Sequence, residues 1–284
     1  MKRNHEATEL IWDAPFPLLR MHGSGCSSFL HGQTSARVEG CSDGDLIQAC
    51  WLNATGRVQA LLEIRLRSDG ADVLVLSGEI DRVASGFDRV IFPADKVRLG
   101  EQGQQRRVQR LQAGKAPELN QVIWLDANAD PPPAWTDHSP CNPAELACWR
   151  SKQGWPLGDQ ELTGDTNPFE LGLSRWVDLN KGCYLGQETV AKLASRGGVK
   201  QELRCWHSTA EGCLGLESGD QLSLNDSRAG LITSISKNSA TGSCFGLAFV
   251  RRQALDAETL LAGNNGVAVS ISRPSAFCDP PSRD

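Results

Sequence analysis

The octapeptide Lys181-Gly182-Cys183-Tyr184-Leu185-Gly186-Gln187-Glu188 places an amine, a thiol, a phenol, an amide and a carboxylate within eight positions. Gly182 and Gly186 suit a tight turn, because glycine adopts left-handed backbone at no steric cost. Downstream, Val190, Leu193 and Ala194 are spaced for one helical face, with Glu188 four residues before Lys192. Cys183 is therefore expected just before a helix N-terminus. A helix dipole and the neighbouring Lys181 ammonium both favour thiolate over thiol, which makes Cys183 a candidate reactive thiol and Lys181 its activator. The alternative is a small apolar residue packed in a turn, the commoner fate of a free cysteine.

Composition narrows the setting for this chemistry. At 284 residues the chain exceeds one comfortable core, and two or three sub-domains are expected. An apolar fraction of 40% and a charged fraction of 22% are those of a soluble globular protein. Net charge of -5 argues against broad binding to nucleic acid or anionic membrane, so neither is expected as a partner. The opening residues lack the apolar core of a signal peptide and no run of eighteen apolar residues occurs, which predicts a cytoplasmic address. Ten scattered cysteines are expected as reduced thiols, mostly packing residues. No Cys-x-x-Cys occurs and only five histidines are present, so neither a zinc site nor a permanently held iron-sulfur cluster is expected. A transient cluster shared with a partner at Cys183 stays open.

The elements that must position these groups follow from periodicity. Leu10 to His22, with Pro15 and Pro17, reads as strand and turn, and residues 23–33 as a turn and short helix with Ser24 or Ser27 as cap. Asp45 to Leu52 and Arg57 to Leu66 read as a hairpin closed by Asn53-Ala54-Thr55-Gly56. Val73 to Leu76 adds a strand, and Glu79 to Val90 a helix with Ile80, Val83, Ala84 and Phe87 on one face. That order predicts an α+β layer, a sheet with helices on one side. Residues 100–120 are polar and read as solvated, and the proline-rich 126–143 as a stiff connector. Val122 to Leu125 is a buried-strand candidate, and a helix is expected after Pro143. Lys192, Arg196, Lys200 and Arg204 gather positive charge beyond Cys183, either for an anion or as a plain solvated face. From Glu202 onward, short strands between Gly, Asn, Asp and Ser turns predict a small antiparallel barrel or sandwich, with a loosely ordered tail from Pro274. The expected division is 1–100, 101–200 with the octapeptide, and 201–284.

The octapeptide, with Pro168-Phe169-Glu170 upstream, Arg196-Gly197-Gly198-Val199-Lys200 downstream and the Phe29-Leu30-His31-Gly32-Gln33 run, resembles the signature of the YgfZ family. These are folate-binding proteins similar to the T-protein (aminomethyltransferase) of the glycine cleavage system. The resemblance implies a T-protein-like α+β fold, with two sub-domains around a central channel and a C-terminal antiparallel β-barrel. It implies tetrahydrofolate or a derivative as cofactor, and a role supporting iron-sulfur cluster assembly or repair in client enzymes, including tRNA-modifying ones. Folate and iron-sulfur client or assembly proteins are the partners it implies. Cys183 and Lys181 would carry the chemistry, with Asn53, Arg57, Glu170, Tyr184, Gln187 and Glu188 at the folate.

Two positions depart from the pattern. Arg37 stands where the family usually has an aspartate, and the loop that carries an acidic residue in the T-protein holds Asn53, Ala54 and Thr55 here. An amide is no general base near neutral pH, so aminomethyl transfer by that route is disfavoured. Asparagine is also favoured in such a turn on backbone grounds alone. Two alternatives remain open: a tetrahydrofolate-dependent one-carbon transferase or demethylase, and an interaction module without chemistry. Trp51, Trp155, Trp176 and Trp206 are the flat side chains available to a pterin, though core packing is the usual role of tryptophan.

Overall fold

The computed structural model describes residues 10–112, 118–135, 137–156, 160–195, 198–209, 211–213, 215–238 and 240–280. The chain opens with β1 (Leu10–His22) and α1 (Cys26–Gln33), followed by β2 (Leu46–Leu52), β3 (Val58–Arg67) and β4 (Gly70–Ser77). Next come α2 (Ile80–Asp88), β5 (Arg98–Leu111), β6 (Val122–Leu125) and β7 (Ser139–Pro140). These strands form one sheet in the order β2-β3-β4-β1-β5-β6, antiparallel except for β7, which adds parallel to β1. Period-two alternation sends Leu61 and Leu74 to one face and Leu62 and Val73 to the other. Helices α1 and α2 cover the second face through Phe29, Leu30, Val83 and Phe87. The first face is covered by Trp149, Trp155, Phe169, Tyr184 and Val190 of the following segment, and by Leu203, Leu247 and Phe249 beyond it. A sheet expected to carry helices on one side is thus buried on both.

That following segment contains α3 (Pro143–Gln153) and α4 (Gln187–Ser195). Asn142 starts α3 with a capping box: its Oδ1 accepts from the Ala144 and Glu145 amides at 2.9 Å, and its own amide donates to the Glu145 carboxylate at 2.8 Å. Beyond lie β8 (Gln201–Ser208), β9 (Gln221–Leu224), β10 (Ser227–Ile232), β11 (Ser236–Lys237), β12 (Cys244–Arg251), β13 (Thr259–Ala262) and β14 (Val267–Ser272). Six of them close antiparallel in the ring β10-β9-β13-β14-β8-β12, with β11 appended to β12. Closure removes the free edges that an open sheet would expose.

Several expectations are corrected. The polar stretch from residue 98 is a strand of 14 residues paired along β1, solvated over Glu101 to Gln104 as expected but buried at Arg107 to Gln109. The boundary expected at residue 100 falls inside it, so the first two sub-domains share a sheet. Its inward Arg107 is paired: it meets Glu63 through two bonds of 3.0 Å with both side chains fully buried, and Trp124 Nε1 and Gln48 Nε2 also donate to that carboxylate. In β6 only Val122 is buried. Neither Ser24 nor Ser27 caps α1, because the N-cap position is Gly25. Cys213 and Cys244, which lie 5.6 Å apart between Cα atoms, are joined as a disulfide rather than both reduced. The tail to Cys278 is packed, with Phe277 against the core. Among the described residues no helix is long and apolar enough to cross a membrane.

Candidate functional site

The tip of the β2–β3 hairpin meets the start of α4. At the tip, Asn53 Oδ1 accepts from the Thr55 amide at 3.0 Å, the Thr55 hydroxyl at 2.8 Å and the Arg57 amide at 3.0 Å. Its oxygen is consumed in holding the turn. Gly56 and Gly186 bring the two loops into contact: a Cβ at Gly186 would lie 2.6 Å from Asn53 O, and one at Gly56 would lie 3.0 Å from the Thr189 Cβ. Both glycines have positive φ, 72° and 82°, where other residues are strained. The two stretches singled out in the sequence are therefore neighbours.

Within the octapeptide the side chains diverge. Lys181 is buried and its ammonium donates to three carbonyls around the end of α1, His31 O, Thr34 O at 2.6 Å and Ala36 O at 2.6 Å. Those carbonyls have no helical partner, so a cation there satisfies them and the helix dipole together. Burial brings the Lys181 pKa down to about 8, with Asp178 opposing. The ammonium also sits 4.8 Å from the centroid of the Tyr184 ring. Cys183 is exposed, whereas burial pushes the thiols of Cys26 and Cys205 up to about 11 and that of Cys50 up to about 12. An ammonium bound by three backbone acceptors is a structural clamp between the octapeptide and the end of α1.

A second group surrounds Glu170, which is 3% exposed. Its carboxylate accepts from the Asn167 amide at 3.0 Å and pairs with Arg57 Nη1 at 3.5 Å. Burial raises its pKa, against the lowering effects of Asn167, Arg57 and Lys200. Asn167 Oδ1 fixes the loop by accepting from the Phe169 and Glu170 amides at 3.0 Å each, and Val58 N donates to Thr166 O at 2.8 Å. The structure so unites Asn53, Arg57 and Glu170 along one strand end.

The remaining expected residues separate. Tyr184 is buried in the core facing the sheet, its hydroxyl lacks a hydrogen-bond partner, and burial raises its pKa. Gln187 Nε2 donates to Lys181 O at 3.5 Å. Glu188 has a side chain 93% exposed, near Lys192 at 3.9 Å, and so faces away from the interior group. Arg37 pairs with Asp178 at 2.9 Å on the surface. In the basic run, Arg204 is buried and paired with Glu202 at 2.5 Å, while Arg196 lies outside the described residues. His31 was not singled out in sequence. Its Nδ1 accepts from the Val38 and Glu39 amides at 3.3 and 3.1 Å, and burial and Lys181 lower its pKa. Its place between Leu30 and Gly32 gave no signal of that pairing. Among the described residues no cluster of three or more His, Cys, Asp or Glu is placed to hold a metal ion.

The glycine cleavage system aminomethyltransferase T from Bartonella henselae superposes with a TM-score of 0.72, over 98% of this chain and 88% of that one, at 14% identity. The fold is aminomethyltransferase-like. In sequence, a putative chloroplastic transferase of Arabidopsis thaliana is 24% identical over 281 residues, covering 84% of this chain and 64% of the relative. An aminomethyltransferase of Acidobacterium capsulatum is 31% identical over 64 residues, covering 22% of this chain and 17% of that protein. The chain spans less than two thirds of the length of these curated relatives, and no family model matches.

Within this aminomethyltransferase-like fold the core facing the barrel contains buried polar atoms with no protein partner. Besides the Tyr184 hydroxyl they include Trp155 Nε1, Gln109 Nε2 and Gln153 Oε1. Buried polar groups are nearly always satisfied, so each such atom is a place for water or a polar ligand atom, and Gln153 and Trp155 line one void.

Proposed function

We propose that this chain binds tetrahydrofolate or a derivative and supports the assembly or repair of iron-sulfur clusters in client enzymes, as a YgfZ-type protein, with Cys183 as its exposed thiol. The observation that carries this reading is the Asn53 turn: the aminomethyltransferase-like fold is retained while the hairpin tip holds an amide whose oxygen is already committed to the backbone. Folate binding then persists without the carboxylate for one-carbon transfer. The buried Tyr184 hydroxyl, without a partner, is a polar group that a bound ligand could satisfy, and Arg57 pairs with Glu170 beside the hairpin tip. Bound folate would supply the carrier or redox capacity of its reduced pterin ring. Lys181 acts as a positioning residue, clamping α1 to the octapeptide. Iron-sulfur proteins are the partners this reading requires, and Cys183 offers them a transient ligand.

Cells lacking the endogenous protein test the thiol. Cluster-dependent enzymes should recover activity with the wild-type chain and not with Cys183→Ala; full recovery with the variant would remove any essential role for that sulfur.

A one-carbon transferase is the second reading. It is favoured by Glu170, a buried carboxyl group near the hairpin whose pKa burial raises, the direction expected of a proton-transfer group. Turnover of tetrahydrofolate with an aminomethyl or methylated amine donor would establish it.

A further inference from the structure

Past β14 the chain leaves the barrel and lies between α3 and the 172–174 turn. The Ser275 amide donates to Lys152 O at 2.9 Å, the Cys278 amide to Gly172 O at 3.0 Å, and Ser174 Oγ to Cys278 O at 3.0 Å. Phe277 fills a slot that a side chain would close, since a Cβ at Gly172 would come within 2.4 Å of its ring. The guanidinium groups of Arg204 and Arg273 lie 5.2 and 4.6 Å from the centroid of that ring. Such contacts attract any π face.

This segment separates two spaces. On one side Arg273 and Ser275 line a cavity of about 780 Å³ with Trp149, Lys152, Trp206 and Phe245. On the other, Phe277 walls a void of about 40 Å³ with Gln153, Trp155 and Trp176. The first has the size of a small-molecule site. Gln153 borders both, is 2% exposed and leaves Oε1 unpartnered, as Trp155 leaves its indole nitrogen. Arg273 is paired with Asp279 at 2.7 Å, a carboxylate that belongs to the same segment and would leave with it.

We propose that the Phe277 slot is a binding site for an aromatic or heteroaromatic ring bearing an anionic substituent, which the C-terminal segment occupies as an internal competitor. An incoming ring takes the place of Phe277 between Gly172 and the two guanidinium groups. Its anionic substituent replaces Asp279 at Arg273, and a polar inner edge meets Gln153 and Trp155. Release breaks the three hydrogen bonds above, the Arg273–Asp279 pair, both guanidinium contacts of the Phe277 ring and its packing against the core, a local opening still smaller than unfolding. The ring need not be a pterin, so the site stands whether or not tetrahydrofolate binds.

Indole-3-carboxylate tests this by calorimetric titration of the full chain and of Phe277→Ala, with cyclohexanecarboxylate as the non-aromatic control. An open state of roughly 1–10% weakens apparent affinity by the inverse of that fraction. Phe277→Ala should therefore bind the indole at least ~10-fold tighter, with little gain for the saturated ring. In the wild-type chain, saturating probe should speed amide hydrogen exchange at Ser275 and Cys278, a readout that stands even if the variant fails to fold. The proposal is overturned by absence of binding to both chains, by equal affinity in both, by an equal gain for the cyclohexane, or by exchange at those amides that is unchanged or slowed at saturation.

Discussion

Lys181 and Cys183 are two residues apart, yet one is buried beneath the end of α1 and the other lies in solvent. Replacing Lys181 by Met leaves three carbonyls without their donor, and should cost roughly 3 kcal/mol or more in denaturant unfolding. A change below about 1 kcal/mol would show that water satisfies them as well. Glu170 provides a pH test. Its folded pKa is raised above the ordinary 4.5, so between 4.5 and the folded value the unfolded chain is ionised and the folded chain is not. The native state there binds more protons, and stability falls as pH rises through that window. Measured from pH 4 to 8, the stability of wild type minus that of Glu170→Gln should decline with rising pH; a flat or rising difference contradicts the assignment. At this scale the reactive residue types were legible in the sequence, but side-chain direction was not. A turn between two glycines sends adjacent side chains to opposite environments, and the three carbonyls that capture Lys181 come from residues about 150 positions earlier.

At the scale of elements, the hairpin and α4 are held by two glycines in mutual contact. Gly186→Ala places a methyl against Asn53 O and strains a backbone at φ 82°, and is expected to destabilise by roughly 2 kcal/mol or more while detaching the hairpin tip from the octapeptide. Hydrogen exchange at the Gly56 and Gln187 amides should rise in that variant; protection equal to wild type would mean the contact is not a constraint. The hairpin, α2 and the barrel strands were readable because their apolar periodicity and turn residues agree, and α3 because Pro143 suits a first helical turn. Strand β5 was not, since Glu101 to Gln105 contribute no buried apolar residue and the inward Arg107 is accommodated by Glu63, a partner 44 positions away, and donates in turn to Gln109 Oε1. Polar residues in a strand look like a loop until the pairing carboxylate is known.

Across the whole molecule, one sheet buried on both faces is joined through the 143–199 segment to a closed barrel, and their common core contains the unpartnered polar atoms. The Cys213–Cys244 bridge spans 31 positions within the barrel, and its removal as a double serine variant should cost about 3–4 kcal/mol from loop-closure entropy. Unfolding unchanged by that variant or by reductant would show the thiols to be separate in solution. The overall architecture was legible through the octapeptide and its flanks rather than through composition, because no local pattern announces that two sheets share a core. The central claim is that this core admits a reduced folate. A tryptophan fluorescence titration with tetrahydrofolate tests it most directly: the account predicts a saturable change in wild type that persists in Cys183→Ala, and a signal that never saturates in either chain would contradict it.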